Sequence, residues 1–159
     1  MKKLFFVFLS CFIYMQAEVL KECKSKKDRL EACIKKTYYA NGNIKSETSY
    51  KNGELYGTAK IYFKNGKLKS ETPYRGDEIH GVVKHYFSNG NLKAETPYIH
   101  DTIHGSENYY YKNGKHLLSI IYQDGVAISG VCDNQKLLTT TQIRNWHTIL
   151  NIADICNQD

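Results

Sequence analysis

Proline is nearly missing from this chain, with two in 159 residues, and tryptophan occurs once. Few prolines leave strand ladders uninterrupted, which suits extended structure. The one long apolar stretch, Leu4 to Tyr14, falls short of the roughly 20 residues that a membrane-spanning helix needs. Catalytic signatures are missing too. There is no Gly-x-Ser-x-Gly, phosphate loop, paired catalytic carboxylate or His-Glu-x-x-His, so no enzyme class finds its machinery here. No Cys-x-x-Cys occurs and no histidine lies at ligand spacing from a cysteine, which argues against a structural zinc site. Mean hydropathy is −0.52 with 42% hydrophobic residues, values that allow a folded domain without a large dry core.

Tyrosine, by contrast, is abundant, at 13 residues. Its apolar body and polar tip suit half-exposed strands. At the N-terminus, Lys2 and Lys3 precede the apolar stretch, and Met15-Gln16-Ala17 offers a cleavage point before Glu18. That order is the pattern of a secretory signal peptide over residues 1–17. Lipidation at Cys11 and an uncleaved N-terminal anchor are the alternatives. Loss of Lys2 and Lys3 takes the 22 basic residues to 20 against 16 acidic ones, a net charge of +4. Acids and bases alternate along each repeat, so no concentrated basic face for nucleic acid is expected. Cys23, Cys33, Cys132 and Cys156 remain, an even count that in an exported chain reads as two disulfides. The local pairs Cys23–Cys33 and Cys132–Cys156 are expected.

A 24-residue period organises the middle of the chain. Tyr38-Tyr39-Ala40-Asn41-Gly42 recurs as Tyr62-Phe63-Lys64-Asn65-Gly66, Tyr86-Phe87-Ser88-Asn89-Gly90 and Tyr110-Tyr111-Lys112-Asn113-Gly114. Tyr50, Tyr74, Tyr98 and Tyr122 keep the step, as do Gly57, Gly81 and Gly105. Asn-Gly between Tyr/Ile/Leu-rich runs predicts a β-hairpin with a two-residue type I′ turn. That register sets Phe63 opposite Leu68, Tyr62 opposite Lys69 and Lys60 opposite Glu71. It also pairs Lys36 with Glu47 and Lys84 with Glu95. In the fourth repeat both members of that pair change together, to Asn108 and Ser119, which supports the register. Alternation then gives an apolar face of Ala59, Ile61, Phe63, Leu68 and Tyr74, and a Tyr/Lys face. At Lys115–Leu118 the pattern falters, and a bulge there would return Leu117 to the inner face. Thr139 with Gln142 predicts a capping box, followed by a helical stripe of Ile143, Trp146, Leu150 and Ala153.

The expected fold is therefore mostly β: an antiparallel meander of 24-residue hairpin repeats with a short C-terminal α-helix. Its parts are a cap over 18–33, repeats over 34–130 and a helical cap over 131–159. The unit Tyr-Tyr-x-Asn-Gly-x-Leu-Lys-x-Glu-x-x-Tyr-x-x-Gly-x-x-x-Gly resembles the MORN-repeat variant of bacterial proteins. Members are often labelled YwqK-type antitoxins, and MORN arrays elsewhere are linked to membrane or protein contact. The tail from Gly130 to Trp146 resembles the ending of exported members. The resemblance implies a single-sheet repeat scaffold and carries no catalytic residues. The expected function is a non-enzymatic, exported, periplasmic module that binds a protein or cell-envelope component, with toxin neutralisation as the alternative. The expected binding face is Tyr62, Lys69, Tyr86 and Lys93, with no cofactor. A metal site would require His80, His100 and His104 to gather on one edge; alternatively Tyr56, His80 and His104 fill one structural slot. Mass spectrometry of the native protein is expected to find Glu18 at the N-terminus. A lipidated Cys11 or a retained Met1 would contradict this.

Overall fold

The computed structural model describes residues 20–146 and 152–157. The predicted signal segment with Cys11 lies outside these residues, as do His147 and Leu150. A 3₁₀ helix spans Lys27–Leu30 and two α-helices span Thr140–Asn145 (α1) and Ile152–Asn157 (α2). The strands are β1 Lys21–Glu22, β2 Cys33–Tyr38, β3 Ile44–Lys51, β4 Glu54–Tyr62, β5 Leu68–Arg75, β6 Glu78–Ile79, β7 Gly81–Tyr86, β8 Leu92–Ile99, β9 Thr102–Ile103, β10 Gly105–Tyr110, β11 His116–Gln123 and β12 Val126–Cys132. They form one open sheet in the order β1-β2-β3-β4-β5-β7-β8-β10-β11-β12, with β6 on β5 and β9 on β8. Neighbours are antiparallel except β1 with β2. This is the expected meander of hairpins with a helical C-terminal end, where two short helices lie among the described residues.

The Lys–Glu register holds. Lys36 lies opposite Glu47, Lys60 opposite Glu71, Lys84 opposite Glu95, and Asn108 opposite Ser119. The pairs nearer the turn do not. Tyr62 lies opposite Leu68, not Lys69, and Phe63 does not face Leu68. The reason is the turn itself. Gly66 N–H donates to the Phe63 carbonyl and Phe63 N–H to the Lys67 carbonyl, which closes a three-residue loop. Gly66 has φ +81°, whereas Asn65 is not in the left-handed region. That is a type I turn with a glycine bulge, not type I′. A second bulge, at Lys69, then restores the register before Ile61 meets Ser70. The shift foreseen only at Leu117 thus recurs in every repeat.

Type I′ geometry sits instead at the opposite connections. Asn52-Gly53, Gly76-Asp77, His100-Asp101 and Asp124-Gly125 all have positive φ at both central residues. The repeat asparagines serve another purpose. Asn65 Oδ1 accepts from Lys67 N–H at 3.1 Å, and its amide donates to the Ser88 carbonyl at 3.2 Å, one repeat away. Asn41 and Asn89 make the same reach to Lys64 and Lys112. On the other edge, Asp77 and Asp101 accept from Leu55 and Ile79 N–H, each at 2.7 Å. Gly81 lies too close to its neighbour for a side chain: a Cβ there would meet Pro73 Cγ at 3.0 Å, with φ at +123°.

The apolar face is less dry than its sequence suggests. Ile61 is 44% exposed and Phe63 is half-buried. Real core exists at the C-terminal end, where Leu118, Ile120 and Ile155 are at most 1% exposed and pack with Tyr109, Leu117 and Leu138. The capping box at Thr139 and Gln142 starts α1, and Trp146 packs on this core, its Nε1 donating to the Tyr122 hydroxyl at 2.9 Å. Disulfides Cys23–Cys33 and Cys132–Cys156 close the two ends, in the expected pairing. Leu118→Ala is expected to cost about 2–5 kcal/mol in chemical denaturation with both disulfides intact, and Phe63→Ala clearly less. The reverse order would misplace the core.

Candidate functional site

One face of the sheet carries a ladder that ties hairpins together. The Tyr62 hydroxyl donates to Glu47 at 2.6 Å, Tyr86 to Glu71 at 2.7 Å and Tyr110 to Glu95 at 2.6 Å. Lys36 pairs with Glu47 at 3.2 Å, and Lys60 lies 3.9 Å from Glu71. Each glutamate thus holds a lysine of its own hairpin or a tyrosine of the next, and Glu47 and Glu71 hold both. Burial, and then the neighbouring glutamate, pushes the three tyrosine hydroxyls up to about 12. The hydrogen bond from Tyr62, with Lys36 adding to it, holds the Glu47 carboxyl below its usual range.

By strand alternation the other face carries Phe63, His85, Thr96 and Tyr109. They line a cleft of about 560 Å³, within the range of ligand pockets. Lys69 and Lys93 line it as well, and the Lys69 ammonium lies 6.0 Å from the Phe63 ring centre. The expected binding face is therefore split. Tyr62 and Tyr86 commit their hydroxyls to the ladder, while Lys69 and Lys93, released by the bulge, stand over the cleft; Tyr86 also touches its wall. Partial burial, and then Lys93, lowers the His85 pKa.

At the bottom of the cleft is Glu107, 5% exposed. Its Oε1 accepts from Thr96 Oγ1 at 2.7 Å, and its Oε2 is buried without a hydrogen bond among the described residues. The Tyr109 and Tyr122 hydroxyls feel this carboxylate, after burial, as a further upward push on their pKa, yet neither meets hydrogen-bond geometry with Oε2. Sequence reading passed over Glu107. Its signal was the 24-residue column Ala59, Val83, Glu107, in which a carboxylate replaces a small apolar side chain.

Charge is segregated between the two edges, contrary to the alternation seen along the chain. The Asn-Gly edge, residues 38–46, 62–70, 86–94 and 110–118, carries seven lysines and no carboxylate. The I′ turns opposite carry Glu54, Asp77, Glu78, Asp101 and Asp124 against Lys51 and Arg75. On that acidic edge the His80 and His100 rings stand 5.0 Å apart, edge to face, and His100 meets Glu78 while His104 lies 3.4 Å from Asp124. Among the described residues no group of three is arranged to hold a metal ion. No helix among them is long and apolar enough to cross a membrane.

Sequence comparison assigns this architecture. The profile of the MORN repeat variant matches residues 34–52, 55–75 and 79–100. Residues 34–100 are three MORN-variant repeats. The structure extends the same pairing, bulge included, to a fourth MORN-like hairpin, β10–β11. No curated protein matches the chain. Among solved structures, a chain of the Glycosylation Associate Protein complex from Streptococcus agalactiae is similar, at 14% identity and a TM-score of 0.41. The match covers 75% of this chain and spans only 20% of that one.

The tyrosine ladder has a pH signature. A tyrosine pKa raised on folding adds stability that is full below the ordinary value of 10.0 and is lost as pH rises through about 12. Denaturation midpoints are therefore expected to fall between these values. Replacing Tyr62, Tyr86 and Tyr110 together with phenylalanine should flatten that decline while lowering stability at neutral pH. An unchanged alkaline slope would refute the ladder.

Proposed function

We propose that this protein is an exported, non-enzymatic scaffold that binds an envelope component or envelope protein through the cleft and the lysine-bearing edge beside it. The observation that carries this reading is the separation of structural and free polar groups. Tyr–Glu–Lys ties engage Tyr62, Tyr86, Glu47 and Glu71 on one face, whereas Lys69 and Lys93 line an open cleft on the other. Repeat sheets present such surfaces as a row of equivalent positions, suited to binding. No nucleophile–base pair converges in the cleft: His85 and Glu107 line it without a bonded Ser, Thr or Cys nucleophile beyond the Thr96 hydroxyl that Glu107 already holds. Two short-range disulfides, one at each end, suit an oxidising compartment, in keeping with the N-terminal export pattern.

Cell fractionation combined with site-specific photocrosslinking tests this. A crosslinker at position 93 is expected to trap an envelope component in the periplasmic fraction, with all four cysteines oxidised. A crosslinker at Arg75, on the acidic edge, should not. Recovery of a reduced chain in the cytoplasm, bound to a toxin, would replace the proposal with toxin neutralisation.

A further inference from the structure

The lysine-bearing edge has a spacing as well as a charge. Lys45, Lys69 and Lys93 occupy one column of the 24-residue period, and Tyr39, Phe63, Phe87 and Tyr111 occupy another. Successive hairpins are neighbours in one continuous sheet, so equivalent residues lie two strand spacings apart, roughly 9.5 Å. A cation and an aromatic ring therefore recur together at about that interval. The row ends where the cap begins. In the fourth hairpin the lysine column becomes Leu117, 6% exposed, whose carbonyl accepts from Asp133 N–H beneath the Cys132–Cys156 bridge. The lysines are present where the edge is open and absent where the cap covers it.

We infer that this edge binds a linear acidic polysaccharide, its sugar rings against Phe63 and Phe87 and its carboxylates on Lys69 and Lys93. The inference rests on the envelope-binding reading above and names its ligand class. Three observations select the class. The regular pitch of cations fits a polymer with regularly placed anions. The aromatic rings between them offer apolar platforms to the C–H faces of sugar rings. Glu107 in the cleft disfavours an anion lodged there, which leaves the lysines at its rim as the seats for the polymer's carboxylates. An anionic lipid headgroup or an acidic peptide would meet the lysines, but neither offers a row of sugar-ring faces to the aromatic column.

The test uses the full oxidised chain and titration calorimetry with oligogalacturonate as the probe. Comparators are a neutral oligosaccharide of equal length, polyglutamate of equal charge and phosphatidylglycerol vesicles. Binding to oligogalacturonate alone is expected, and it should weaken as salt rises. Lys69→Glu with Lys93→Glu should weaken it about tenfold or more, because two exposed attractions become repulsions. Phe87→Ala should also weaken it, and Arg75→Glu on the opposite edge should not. Equal binding of polyglutamate or of vesicles would overturn the inference, as would indifference to the lysine reversals. If oligogalacturonate fails while the crosslink at position 93 persists, the saccharide is wrong and the scaffold reading stands. If both fail, the edge is not the binding surface.

Discussion

A single-layer sheet has no second layer to bury its faces, so each hairpin must be held by the next. The tie between hairpins is the interaction on which the rest of this structure depends. It has three strands of its own: Tyr to Glu across one face, Asn to carbonyl along one edge, and Asp to backbone N–H along the other. All three run between residues 15 to 23 apart in sequence, so they work only if every repeat keeps the same length. This explains why the period is 24 without slippage through the repeats. An insertion in one hairpin would break three sets of bonds at once.

The same constraint explains the bulge. Two opposite faces must be kept in phase with both a three-residue loop and the Lys–Glu pairs. The loop alone would shift the register by one and turn every side chain to the wrong face. The extra residue at Lys69, Lys93 or Leu117 absorbs that shift. It also frees a side chain from the ladder. Where the sheet is open the freed residue is lysine, and where the helical cap closes the sheet it is leucine. One backbone irregularity thus yields either a functional position or a core residue, according to what lies over it.

The two ends solve a further problem. A repeat sheet exposes unpaired strand edges, which invite association. At the N-terminus, β1 lies parallel to β2 and Cys23–Cys33 pins it. At the C-terminus, Leu137 bridges Val131 and the helices bury Leu118 and Ile120. The core is therefore concentrated at one end, and the middle hairpins, with Ile61 and Phe63 only partly covered, rely on polar ties. That arrangement leaves a cleft with aromatic walls where the partly covered hairpins meet the core, lined by Phe63 on one side and by buried Ala94, Thr96 and Tyr109 on the other.

Sequence alone determined the period, the order of hairpins, the Lys–Glu pairs, the capping box at Thr139 and both disulfides. Each follows from local or strictly repeated information: a fixed offset, a turn dipeptide, a short loop between cysteines. Tertiary structure decided the rest. Asn-Gly is compatible with more than one turn, and the dipeptide alone does not say which one forms. Lys69 left the face of Tyr62 because a bulge intervened, and no spacing in the chain marks a bulge. The burial of Glu107 came from strands on both sides of it, although its column had already broken with Ala59 and Val83. Charge that alternates along the chain is sorted in space because successive turns lie on opposite edges of an antiparallel sheet, and only the folded meander brings like turns together.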